Sequence, residues 1–72
     1  MTDSTYKIIE LVGSSPISWE EAVKNAVNKA SESLRDLRIC EVEKFDTKLE
    51  GGKIVAFRAR VKVSFKYEKE GA

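Results

Sequence analysis

The side chains with the most chemical reach lie in two short runs. Residues 57–65, FRARVKVSF, alternate apolar Phe57, Ala59, Val61, Val63 and Phe65 with basic Arg58, Arg60 and Lys62, and Lys66 follows. A period of two puts the cations on one face of a strand and the apolar groups on the other. Such a row could track a phosphate backbone. Glu41 and Glu43, in the run ICEVEKF at 39–45, argue against it by supplying carboxylates at the same period. No exposed aromatic series is present for bases to stack on. The whole chain carries 13 basic and 12 acidic residues, a formal charge of +1, so no overall field favours nucleic acid or an anionic membrane.

Glu41 and Glu43 could do acid–base work only if one were forced to keep its proton; beside so many cations they read as cross-strand ion pairs. Cys40 is the single cysteine, and its register puts it among the apolar residues, where it packs as a small hydrophobe. Without histidine or a cysteine pair, zinc and iron–sulfur centres have no ligand set. No phosphate-binding glycine loop or activated nucleophile is visible, so catalysis is not expected. The question is what the cationic face meets.

The elements that carry this face follow from local signals. Residues 5–12, TYKIIELV, form a short apolar run that stops at Gly13 and predicts a strand, with GSSP turning the chain. Ser18 with Glu21 is a capping box and starts a helix. At 100° per residue, Trp19, Ala22, Val23, Ala26, Val27, Ala30, Leu34 and Leu37 share an arc of about 140°, which predicts one amphipathic helix of about 18 residues with Trp19 in the core. Ser33 is the polar residue within that stripe.

Gly51-Gly52 is a two-residue hairpin signal, because glycine reaches the positive φ angles that such turns demand. With these residues as the turn, Val42 faces Val61, Cys40 faces Val63, Glu41 faces Lys62 and Glu43 faces Arg60. Arg58 faces Phe45 and lacks a cross-strand carboxylate. The order is strand, helix, strand, strand, an α+β domain spanning residues 1–72. A strand from Lys53 to Glu68 would run about 50 Å at roughly 3.3 Å per residue, against a radius of gyration of about 11 Å for a globule of this length, so the hairpin is expected to curl around the helix. Ile39 and Phe45 then face outward with the charged rows.

A chain of 72 residues is near the lower limit for a self-sufficient core, and one cysteine excludes an internal disulfide. Identical copies are the remaining source of apolar cover. The sequence has neither a signal-peptide pattern at its start nor an apolar run of membrane-spanning length, so a cytoplasmic location is expected.

The stretches YKIIELVGSSPISWEEAV, LRDLRICEVE and VKVSFKYE resemble the dodecins, over about Tyr6 to Glu68. The resemblance implies a helix wrapped by a three-stranded antiparallel sheet, with twelve copies forming a hollow sphere that stores a small ligand at its subunit interfaces. Flavin-binding members place an aromatic ring at the position of Ile39, a glutamine at Arg58 and an arginine at Asp46. Isoleucine has no π face, forfeiting about 0.5–1.5 kcal/mol per stacked pair, and an arginine only donates where a glutamine also accepts. Weak or absent binding of FMN or riboflavin is therefore expected. The chain is more similar to a calcium-binding subgroup, which also has no tryptophan at the position of Ile39 and carries VSFK with an acidic residue in the second strand. Calcium takes about six to eight oxygens, and Asp46, Thr47 and Glu50 supply too few within one chain, so a site would be completed across a symmetry axis. The alternatives are a purely structural homo-oligomeric module and a flavin store with a degenerate site.

Overall fold

The computed structural model describes residues 5–66. Residues 1–4 and 67–72, including the Tyr67–Glu68 end of the expected last strand, lie outside the described residues. The elements are β1 (Tyr6–Ser15), α1 (Trp19–Ser33), β2 (Leu37–Glu50) and β3 (Lys53–Lys66). They form one antiparallel sheet in the order β1-β3-β2, with the helix on one face. The expected α+β architecture is present.

α1 begins as its cap requires. Ser18 is extended (φ −165°, ψ 165°) and its hydroxyl accepts the Glu21 N–H at 3.0 Å. The other half of the box is replaced, since the Glu21 carboxylate lies 3.9 Å from Lys24 Nζ. Glu20 and Glu21 in the first turn favour the positive end of the helix dipole. The helix has 15 residues rather than about 18. Leu34 turns extended and closes the last turn by donating its N–H to Ala30 O at 2.9 Å, and Asp36 takes a left-handed φ of 58°, which aspartate tolerates better than most. Leu37 therefore enters β2 and leaves the helical stripe.

Among the described residues the fully buried core holds nothing larger than valine, with Ile9, Leu11 and Leu37 partly buried against it. Ala22, Ala26 and Ala30 of the helix are buried against Ala59, Val61 and Val63 of the central strand, and Val61 and Val63 are the largest fully buried side chains among the described residues. Alanines spaced at four let the helix lie close to the sheet. Gly13 permits a close approach of β1 to the helix, because a Cβ there would sit 2.0 Å from Ala22 O and 2.9 Å from Ala26 Cβ. This corrects the expectation that β1 ends at Gly13: the strand continues under the helix to Ser15. The Ser15 hydroxyl, buried, accepts the Ile17 N–H at 2.9 Å and makes the turn.

Gly51 and Gly52 have φ of 58° and 78°, the pair of positive values of a type I′ turn. The hairpin does not curl up, however. The described residues extend 54 Å along their longest axis with a radius of gyration of 15.0 Å. A helix of 15 residues is about 22 Å long and covers only part of two 14-residue strands. The rest of the hairpin projects past the helix N-terminus with Leu49, Ile54 and Val55 exposed.

Candidate ligand site on the sheet

Near the turn and near the core the hairpin pairs as expected from the glycine pair: Glu50 with Lys53, Val42 with Val61, Glu41 with Lys62 and Cys40 with Val63. Between these stretches it slips. Register shifts between Val42 and Lys44 and between Lys48 and Leu49 leave residues 44–48 one step out of phase. Glu43 and Val55 are the inserted residues, one on each strand, so the two irregularities compensate. A one-residue slip exchanges the faces of every side chain it includes.

Two expected pairs change as a result. Arg58 faces Asp46 and not Phe45, and Arg60 faces Lys44 and not Glu43. Arg58 is thus not the cation without a cross-strand carboxylate. Its Nε and second terminal nitrogen donate to the two Asp46 oxygens at 2.7 and 2.9 Å, a bidentate pair inside one chain. The guanidinium bond holds the Asp46 carboxyl below its ordinary range, and Asp46 raises Arg58 in return. Glu43, released by its bulge, reaches Lys62 at 2.9 Å. That bond, followed by a contact with Glu10, lowers Glu43, while Glu43 raises Lys62. Among the described residues, Arg60 and Lys44 are left without an ion pair within 4 Å.

The slip also brings Phe45 to the helix-covered side, opposite Ala59, correcting its outward assignment. There it meets Trp19, ring centroids 5.8 Å apart, and Phe57 closes on the same indole at 5.0 Å with its ring nearly perpendicular. Trp19 is not a core residue as its helical angle suggested. It stands at the first turn, 41% exposed, and its indole N–H donates to Asp46 O at 3.0 Å. Asp46 is therefore held twice, by its carbonyl to the helix and by its carboxylate to the central strand. The residue order offered a signal for this: sliding the hairpin by one pairs Asp46 with Arg58 and Phe45 with Ala59.

The three positions singled out by resemblance are not brought together in one chain. Asp46 and Arg58 touch, but Ile39 pairs with Ser64, about 20 Å away along the strands. Ile39 is 66% exposed, beside an open cleft of about 160 Å³ lined by Val27, Leu37, Arg38, Ile39, Cys40 and Val63. Burial raises the Cys40 thiol, so it stays protonated and apolar in character. Glu50 lies roughly 13 Å from Asp46 along β2, close to the turn, with Lys48 Nζ at 3.8 Å. Among the described residues no three carboxylate, cysteine or histidine groups converge as a metal cage would require. The described residues of one copy do not by themselves fit calcium.

What one copy does offer is a sheet face on which Ile8, Val12 and Ile39 are exposed between charged rows. The Dodecin family model matches residues 5–68. The chain belongs to the dodecin family. It is 38% identical over 63 residues to the calcium dodecin of Mycobacterium tuberculosis, covering 88% of this chain and 89% of that one. Its fold is similar to a dodecin from Streptomyces coelicolor, with a TM-score of 0.91 at 36% identity over 97% of this chain and 100% of the other. The structure of the M. tuberculosis calcium dodecin, a calcium-chelating antigen with a novel calcium-binding site, gives a TM-score of 0.82 at 35% identity over 96% of this chain and 99% of that one. Helix on antiparallel sheet is thus the dodecin architecture. No helix among the described residues is long and apolar enough to cross a membrane.

Proposed function

We propose that this dodecin is a non-enzymatic binding and storage subunit that works as a homododecamer, holding a small ligand or ion where copies meet. The observation that carries this reading is the mismatch between covered and uncovered apolar groups. Among the described residues the buried core stops at valine, while Tyr6, Ile8, Val12, Ile17, Ile39, Phe45, Leu49 and Ile54 are all at least 48% exposed. A monomer seldom leaves so much apolar surface wet, and copies of the same chain supply the missing cover.

Among ligands, calcium is favoured over flavin. Ile39 presents no ring for stacking, and Arg58 is already engaged by Asp46. The relationship to a calcium dodecin supports an ion. Since the described residues of one copy hold no ligand set, the carboxylates would come from several copies around an axis, where each residue recurs. Glu50 is better placed to contribute than Asp46, because its lysine contact is longer and both groups are mostly exposed, whereas both Asp46 oxygens accept from Arg58. The internal satisfaction of Arg58 also favours a second reading, an assembly whose interfaces are filled by protein alone.

Light scattering together with metal analysis of the gel-filtered protein tests these readings. A particle of about twelve chains that retains calcium, and loses it to a chelator, is the expected result. An assembly with neither metal nor flavin supports the structural module. A monomer at micromolar concentration overturns both.

A further inference from the structure

The slipped stretch of β2 has a definite alternative. If residues 44–48 returned to the phase of the turn, both bulges flanking them would disappear and Glu43 would face Arg60. The present like-charged pairing of Lys44 with Arg60 would also be relieved. Against this, Lys44 and Asp46 would swing to the helix-covered side opposite Ala59 and Phe57, and Phe45 would leave Trp19 for the outer face. The loss of two bulges and of one like-charged pair therefore favours one arrangement, while the strand's polarity and the two long-range contacts of Asp46 favour the other. We infer that Asp46 is a register clamp: its bidentate bond to Arg58 and its carbonyl bond from Trp19 hold residues 44–48 in one of two available registers of the β2–β3 hairpin.

The clamp is built across the sheet. Arg58 holds Asp46 from the outer face of the central strand, and Trp19 holds the same residue from the helix side. Neither contact survives a slip, because the slip exchanges the faces. What changes with the register is the chemistry the sheet shows. In the observed state the outer face presents Lys44, Asp46 and Lys48; in the other it presents Phe45 and Thr47. The device thus decides whether Arg58 is paired with Asp46 or stands beside an outward Phe45 toward a second copy or a ligand.

Cysteine crosslinking in the full chain reads the register directly, with Cys40→Ser removing the native thiol. In the observed register Lys48 faces Ala56, so the pair Lys48→Cys with Ala56→Cys should form an intrachain disulfide, while Thr47→Cys with Ala56→Cys should not. Adding Asp46→Leu removes the outer-face bond and makes residue 46 apolar, suited to the helix side. It is expected to change the ratio of the two crosslinks by about tenfold or more toward the Thr47 pair, the scale set by moving one leucine onto a covered face. If that variant does not fold, Asp46→Asn and Arg58→Gln are measured in the same way and should shift the ratio in the same direction. Crosslink ratios unchanged from the parent in the folded variants overturn the inference.

Discussion

Replacing Gly13 with alanine tests how closely the helix lies on β1. The added Cβ would lie 2.0 Å from Ala22 O and 2.9 Å from Ala26 Cβ, where ordinary contact begins at 3.4 Å. The obstacle is backbone, so no side-chain rotation relieves it. Helix and strand must separate by more than an ångström, which opens the seam between Ala22, Ala26 and Ala30 and the buried residues of β3. The same movement strains the hydrogen bond from Asn25 Nδ2 to Ser14 O, 2.9 Å long. Overpacking of this kind costs about 1–3 kcal/mol. At roughly 4–8 °C per kcal/mol for a chain of this size, the melting temperature should fall by about 5–20 °C. The measurement is circular dichroism melting of parent and variant at one protein concentration, because assembly makes the midpoint concentration-dependent. A variant that melts within about 2 °C of the parent would refute the close packing of α1 on β1.

Ser18→Ala removes the hydroxyl that accepts the Glu21 N–H and should cost about 1 kcal/mol in chemical denaturation; no measurable loss would mean that the cap is idle. Ile39→Asp leaves the core of one copy untouched, since the side chain is 66% exposed, but places a charge on the outer face; sizing chromatography should show a smaller particle, and an unchanged assembly would remove Ile39 from the interface. Asp46 and Glu43 are held below their ordinary values of 3.8 and 4.5, so both contribute stability above those values that is lost as the pH falls through the lowered, folded ones. Acid titration of the melting temperature should show this decline below about pH 4.5, less steep in Asp46→Asn; Lys62, raised above 10.5, adds stability that is lost only in strong alkali.

The parts of the fold legible in the chain are those with local causes. Ser18 with Glu21 marks a helix start because capping needs only four consecutive residues. Gly51 and Gly52 mark the turn because few other residues accept two positive φ angles in succession. The pairs nearest the core, Val42 with Val61 and Cys40 with Val63, follow from polarity alternating with period two. The middle of the hairpin was not legible from the turn, since the turn's register and the polarity of residues 44–48 point to two different pairings. Contacts far away in sequence choose between them. Trp19 lies 27 residues before the carbonyl it holds, and Arg58 lies 12 residues after the carboxylate it binds. The helical angle of Trp19 misled for a related reason: at the first turn, a side chain on the inner arc lies beside the projecting hairpin rather than over the core.

Element order, the cap, the turn and the family resemblance were thus set by residue types and spacings within a few positions of one another. Only the tertiary structure decided the slip in β2, the engagement of Arg58 by Asp46, the separation of Ile39 from both, and the 54 Å reach of the hairpin. The reason is physical: a strand's alternation is local, but its phase against its neighbour is a balance of bulges, ion pairs and aromatic contacts contributed by distant elements.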